Sequence, residues 1–184
     1  MSTSSYIFTS ERLGFRNWET SNLKALHAIN NDDEVMEFFP FKPSKKDTEG
    51  FIQRMQQLYT EKKYCYFAVD ILQTNECIGF IGLCEQTYIN DLGTFVDIGW
   101  RLKKSSWHNG YATEGAKKCL AYGFKTIGLS NIYSVAPEIN TKSESVMKKI
   151  GMQYVNTFLH PKLIDNDRLK KCVLYKISNP KPIR

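Results

Sequence analysis

The stretch Trp107-His108-Asn109-Gly110-Tyr111-Ala112-Thr113-Glu114-Gly115 decides how the chain is read. Asn-Gly is a strong hairpin signal, yet no second strand follows it. From Tyr111 to Ile127, Ala112, Ala116, Cys119, Leu120, Gly123 and Ile127 instead share one face of a helical period that stops at Gly128. The preceding segment, Gly93 to Leu102, is strand-like, as is Asn131 to Pro137 beyond the helix. Strand, helix and strand make a crossover unit whose two strands run parallel.

Upstream, Glu11 to Trp18 alternates Leu13 and Phe15 with polar residues, and Asn22 to Asn30 has helix-like spacing of Leu23, Leu26 and Ile29. The Phe38-Phe39-Pro40-Phe41-Lys42-Pro43 segment breaks the chain, and Lys45 to Tyr59 resumes as a helix. Tyr64 to Leu72 and Glu76 to Gln86 are strands joined by the short Gln73-Thr74-Asn75 connection, which predicts an antiparallel meander. Downstream, Thr141 to Ile150 is a short helix stopped by Gly151. Tyr154 to Leu159 and Lys171 to Ile177 form a closing hairpin around Asp165-Asn166-Asp167. The expectation is one domain over residues 1–184, of α+β class, with a mostly antiparallel sheet and one parallel pair.

The 25 basic and 19 acidic side chains leave a net charge of +6. Lysine doublets such as Lys45-Lys46 and Lys148-Lys149 are dispersed and form no basic tail, so nucleic acid is not favoured as a partner. Cys65, Cys77, Cys84, Cys119 and Cys172 include no CxxC pair. His27, His108 and His160 show no metal-ligand spacing, so reduced thiols and no metal are expected. The opening MSTSSYIFTSER lacks the apolar core of a secretion signal. The longest nearly apolar run, Cys77 to Cys84, is too short to cross a membrane. A cytoplasmic protein without membrane attachment is the resulting expectation.

A helix N-terminus presents unpaired amides and the positive end of a dipole, and a glycine before it lets an anion approach them. Gly110 supplies that backbone and Ala112 keeps the first turn slim. The GxxxxGK[ST] loop is excluded because Ala116-Lys117 follows Gly115, and GxGxxG is excluded because position 112 is Ala. A plain turn and helix start remains the alternative reading.

Four motifs together resemble the GNAT superfamily of acetyl-CoA-dependent N-acetyltransferases, most of all its RimJ/RimL-type branch. They are Ser10-Glu11-Arg12-Leu13, Asp97-Ile98-Gly99-Trp100-Arg101-Leu102, the Trp107–Gly115 loop, and Asn140-Thr141-Lys142-Ser143 followed by Val146 to Met152. The resemblance covers nearly the whole chain. It implies the GNAT-like twisted sheet with flanking helices, and a loop that cradles the coenzyme A pyrophosphate. Trp107 stands at the loop's Gln/Arg position, with His108, Asn109, Gly110, Tyr111, Ala112 and Thr113 completing the cradle. It further implies that Arg101, Leu102 and Lys103 offer backbone groups to the pantetheine arm and that Asn140 hydrogen-bonds it. Asn109 replaces a usual basic residue, and Gly115 a usual Ala.

Acetyl transfer needs the amine deprotonated, because an alkyl ammonium predominates at neutral pH. Asp97 stands where the family often has a glutamate; a raised pKa among apolar neighbours suits it to base work, and a structural hydrogen bond or a grip on a substrate cation are the alternatives. The tyrosine that many relatives use toward the leaving thiolate is replaced by Met147, which cannot donate a proton. Ser143 is then the candidate acid, with helix capping as its alternative. No cysteine has an activating partner, so direct transfer in a ternary complex is expected. The Phe38–Phe41 loop either lines the acceptor side or, as the preferred reading, packs into the core. The acceptor is a protein N-terminal or small-molecule amine, and a homodimer is left open. A coenzyme A-binding regulatory module and a basic ribosome- or RNA-associated protein are the competing functions.

Overall fold

A computed structural model describes residues 6–180. The reading of the opening residues as lacking a secretion signal falls partly on 1–5, outside the described residues. The elements are β1 (Phe8–Thr9), β2 (Leu13–Arg16), α1 (Leu23–Asn30), α2 (Lys45–Lys62), β3 (Tyr66–Ile71), β4 (Glu76–Gln86), β5 (Phe95–Leu102), α3 (Tyr111–Tyr122), β6 (Asn131–Pro137), α4 (Thr141–Lys149), β7 (Gln153–Leu159) and β8 (Lys171–Ser178). Eight strands form one sheet in the order β1-β2-β3-β4-β5-β6-β8-β7. Among the described residues every neighbouring pair is antiparallel except β5 and β6. The mixed α+β architecture expected from the crossover is the one observed.

Two details depart from the sequence reading. Phe8–Thr9 adds a short strand beside Leu13–Arg16. The helix from Tyr111 is α-helical only to Tyr122 and then widens into a π-turn over Gly123–Ile127. Phe124 stays buried through that turn, so the added residue turns the helix end without losing the apolar stripe.

The two faces of the sheet are covered by different helices. Phe51 on α2 packs on Tyr66 and Phe80, with ring centroids 6.5 and 5.4 Å apart. On the opposite face α3 buries Ala116, Cys119 and Leu120. Gly115 brings this helix close to the sheet, for a β-carbon there would lie 2.3 Å from Ile81 Cδ1. α2 starts with a reciprocal cap, in which Ser44 accepts from the Asp47 amide and Asp47 from the Ser44 amide.

The parallel pair positions the site. β5 and β6 are in register only at Asp97 opposite Tyr133. Next to it the buried Ser134 hydroxyl, not a backbone amide, donates to the Ile98 carbonyl at 3.1 Å. Beyond this point the two strands part, while the other edge of β5 stays paired with β4 through Leu102. The gap between β5 and β6 opens toward the N-termini of α3 and α4.

Candidate active site

The opening motif and the loop are one unit. Glu114, in the first turn of α3, accepts from Ser10 Oγ at 2.7 Å, from the Arg12 amide at 2.8 Å and from Arg12 Nε at 2.7 Å. Arg12 Nη2 donates to the Asn109 carbonyl at 3.0 Å, and its guanidinium lies 4.7 Å from the centre of the Tyr111 ring. The Trp107 indole N–H donates to the Leu102 carbonyl at 2.9 Å, which fastens the loop to the end of β5. Within the loop Asn109 Nδ2 donates to the Trp107 carbonyl.

His108 (φ 62°) and Gly110 (φ 78°) both adopt the left-handed conformation. A left-handed residue at the helix start turns successive amides toward one point, which glycine does without strain and histidine only at a cost. The first amide of α3 with an intrahelical acceptor is that of Glu114, bonded to the Gly110 carbonyl at 3.0 Å. Those of Tyr111, Ala112 and Thr113 have no protein acceptor among the described residues, as expected of a helix start. Lys142, whose ammonium lies 4.7 Å over the Trp107 ring, brings a positive charge to the same place. Free amides, a small Ala112 and a nearby ammonium fit a pyrophosphate.

These groups open on a groove of about 640 Å³, lined among others by Arg101, Leu102, Trp107, Gly110, Asn140 and Ser143. His108, Tyr111, Ala112 and Thr113 also line it, whereas Lys103 and Asn109 do not. Lys103 is turned away, its amide bonded to the Ile78 carbonyl at 2.8 Å and its ammonium paired with Glu76.

A second cavity of about 480 Å³ lies on the α1–α2 side and shares Phe38, Phe39, Trp100, Arg101, Asn140 and Ser143 with the groove. Asp97 is in its lining, 8% exposed, and accepts a 2.6 Å hydrogen bond from Tyr66 Oη. Burial pushes the Asp97 carboxyl up to about 7, against the opposing hydrogen bonds from Tyr66 and Gln86. Tyr66 sits two strands away on β3 and reaches Asp97 over Gly99, where a β-carbon would come within 3.1 Å of its ring. The pairing spans 31 residues of sequence, and a glycine on the Asp97 face of β5 was its only trace.

At α4 it is Asn140 that caps the helix, its side chain accepting from the Ser143 amide at 3.1 Å. Ser143 is therefore not the cap, and its hydroxyl has no hydrogen-bond partner among the described residues. Met147 is 1% exposed and closes the floor beneath. Phe38 and Phe39 line both cavities, and Phe41, 67% exposed, lines the second. The preferred sequence reading of this loop as core packing does not hold, because Phe39 and Phe41 are among the exposed large apolar residues.

Residues 12–153 match the family model of the acetyltransferase (GNAT) domain. The chain belongs to the GNAT acetyltransferase family. It is 32% identical over 151 residues to the uncharacterized N-acetyltransferase YnaD of Bacillus subtilis, covering 79% of this chain and 81% of that protein. Among solved structures, a GNAT-family acetyltransferase from Bacillus anthracis superposes with a TM-score of 0.77 at 26% identity, covering 94% of this chain and 98% of the other. A spermidine N-acetyltransferase from Vibrio cholerae, solved with coenzyme A and spermine, shares the fold with a TM-score of 0.73 at 20% identity, covering 94% and 99%. The protein is thus a GNAT-family N-acetyltransferase, and its groove and second cavity share lining residues of β5 and α4.

Proposed function

We propose that the chain moves the acetyl group of acetyl-CoA to a primary amine, either a protein N-terminal α-amine or a small-molecule amine, by direct attack in a ternary complex. The observation that carries this reading is the meeting of two cavities over β5, one headed by the amides of α3 and the other holding Asp97. Acetyl-CoA supplies the activated acyl group. Tyr111, Ala112 and Thr113 hold its pyrophosphate through their amides, the free edge of β5 from Trp100 to Leu102 runs along its arm, and Asn140 and Ser143 face it from α4. Asp97, oriented by Tyr66, takes the proton of the amine, directly or through water. Ser143 carries an unpaired hydroxyl where the cavities join, the place for returning a proton to the departing thiolate.

Direct transfer is supported by the thiols. Burial pushes Cys84 up to about 12 and Cys172 up to about 11, so neither is a thiolate nucleophile at neutral pH. The four motifs support placement in the RimJ/RimL-type branch, with residues 1–184 acting as one cytoplasmic domain. Met147 favours a second reading, a coenzyme-binding module with little turnover, because it lines the acceptor cavity and cannot donate a proton.

Acetyl-CoA titration tests the loop and thiol release across an amine panel tests the chemistry. Gly110→Glu puts bulk and negative charge beside the pyrophosphate and strains a left-handed position, so acetyl-CoA affinity falls at least tenfold. Unchanged affinity removes the loop assignment. Tight binding by the parent protein without turnover on any amine favours the module.

A further inference from the structure

Building on the transferase reading, we infer that the acceptor is an amine that also bears an oxyanion, in the simplest case a carboxylate, and that Arg101 holds that oxyanion. The cavity's charges support this. Among the described residues Arg12 pairs with Glu114, Arg16 with Asp70 and Arg168 with Glu37. The two described arginines without a carboxylate partner, Arg54 and Arg101, both line the second cavity. The Arg101 guanidinium lies 4.0 Å from the centre of the Phe39 ring and 5.4 Å from that of Phe80, and its Nη1 donates to Asn30 Oδ1 at 2.7 Å. Its Nε is buried without an acceptor. A desolvated guanidinium that lacks a carboxylate partner and keeps spare N–H donors suits an oxyanion, which it holds by charge-assisted hydrogen bonds.

The carboxylates complete the balance. Asp33, Glu34 and Glu37, beside the aromatic loop, are already paired with Lys42, Lys104 and Arg168. Asp32 accepts from the amides of Glu34 and Val35. Two acids line the cavity, Asp47 at the N-terminus of α2, where it accepts from Ser44, and the buried Asp97, which faces the amine. Two carboxylates stand against two guanidinium groups there, one of them desolvated and without a carboxylate partner, which suits an aminocarboxylate better than a polyamine. The floor between the two ends is continuous: Asp97 bonds Tyr66, Tyr66 stacks on Phe80 at 5.1 Å, and Phe80 underlies Arg101. Phe39, Phe41 and Phe51 also line the cavity, so the body between amine and oxyanion is apolar.

The test compares phenylalanine with phenylalaninamide, and both with spermidine, by thiol release and by calorimetric binding to the protein saturated with coenzyme A. The carboxylate should exceed the amide about 10- to 100-fold in kcat/KM and in affinity, the range a charge-assisted hydrogen bond supplies. It should do so although the amide has the more readily deprotonated amine. In Arg101→Gln the ratio should collapse toward one through KM of the acceptor. Equal or better use of the amide or of spermidine by the parent protein overturns the assignment and leaves the transferase standing. A carboxylate preference in binding with no turnover overturns the transferase and keeps the Arg101 site. An Arg101→Gln variant that loses acetyl-CoA affinity but retains the acceptor ratio assigns the residue to the coenzyme and also overturns the inference. If the variant does not fold, the parent protein's carboxylate-to-amide ratio decides.

Discussion

Asp97 is where local environment becomes chemistry. Its carboxyl, 3.8 in an unfolded chain, rises to about 7 on burial. Between pH 4 and 7 the folded protein therefore keeps a proton that the unfolded chain has lost, and stability falls as pH rises through this window. Asp97→Asn removes the titration, so it should unfold with the parent below pH 4 and be more stable by about 1–3 kcal/mol at pH 8, as read from urea midpoints. The same substitution should lower kcat/KM by about 10²–10⁴, the usual worth of a positioned base, and abolish the acid limb near pH 7 in the rate profile. A gain in stability without loss of rate would leave Asp97 a buried polar residue with no part in the reaction.

The elements that hold the site were largely legible because each announces itself locally. The period of Ala112, Ala116, Cys119 and Leu120 gave α3, and Ile132, Tyr133 and Val135 gave β6 as a strand, although its buried positions are Ile132, Ser134 and Ala136. The π-turn at Gly123 and the added strand Phe8–Thr9 were not legible, since both depend on packing against distant segments. Gly115 shows the difference. As sequence it is a departure from the Ala usual in the resembling loop, and as structure it is the contact that lets α3 lie on Ile81. Gly115→Ala gains helix propensity of about 1 kcal/mol but overpacks by about 1–3, so a net loss near 1 kcal/mol is expected in thermal or urea unfolding. Ile81→Val deletes the Cδ1 carbon that is struck, and the double variant should recover that loss. Additive losses would show that the close approach is not what selects glycine.

At the scale of the whole molecule, long-range pairs decide what the sequence concealed. Asp33, Glu34 and Glu37 lie close together in sequence, and the fold pairs them with Lys42, Lys104 and Arg168. Arg16 and Asp70, 54 residues apart, form a buried two-pronged pair at 2.7 and 2.9 Å, with Asn22 accepting a third bond. Asp70→Ala strands that guanidinium and should cost about 3–5 kcal/mol in urea unfolding, whereas replacing both partners with apolar residues should cost far less. The two cavities meet only because β5 and β6 separate after a single register pair, so the site is a property of the sheet as much as of its motifs. The most direct test of the account is the stoichiometry of the reaction itself, with free thiol and acetylated amine quantified together after mixing protein, acetyl-CoA and an aminocarboxylate. The account predicts one N-acetylated amine for each thiol released, and no release above hydrolysis when the amine is omitted. Thiol release that is independent of the amine, or none with any amine at saturating acetyl-CoA, would contradict it.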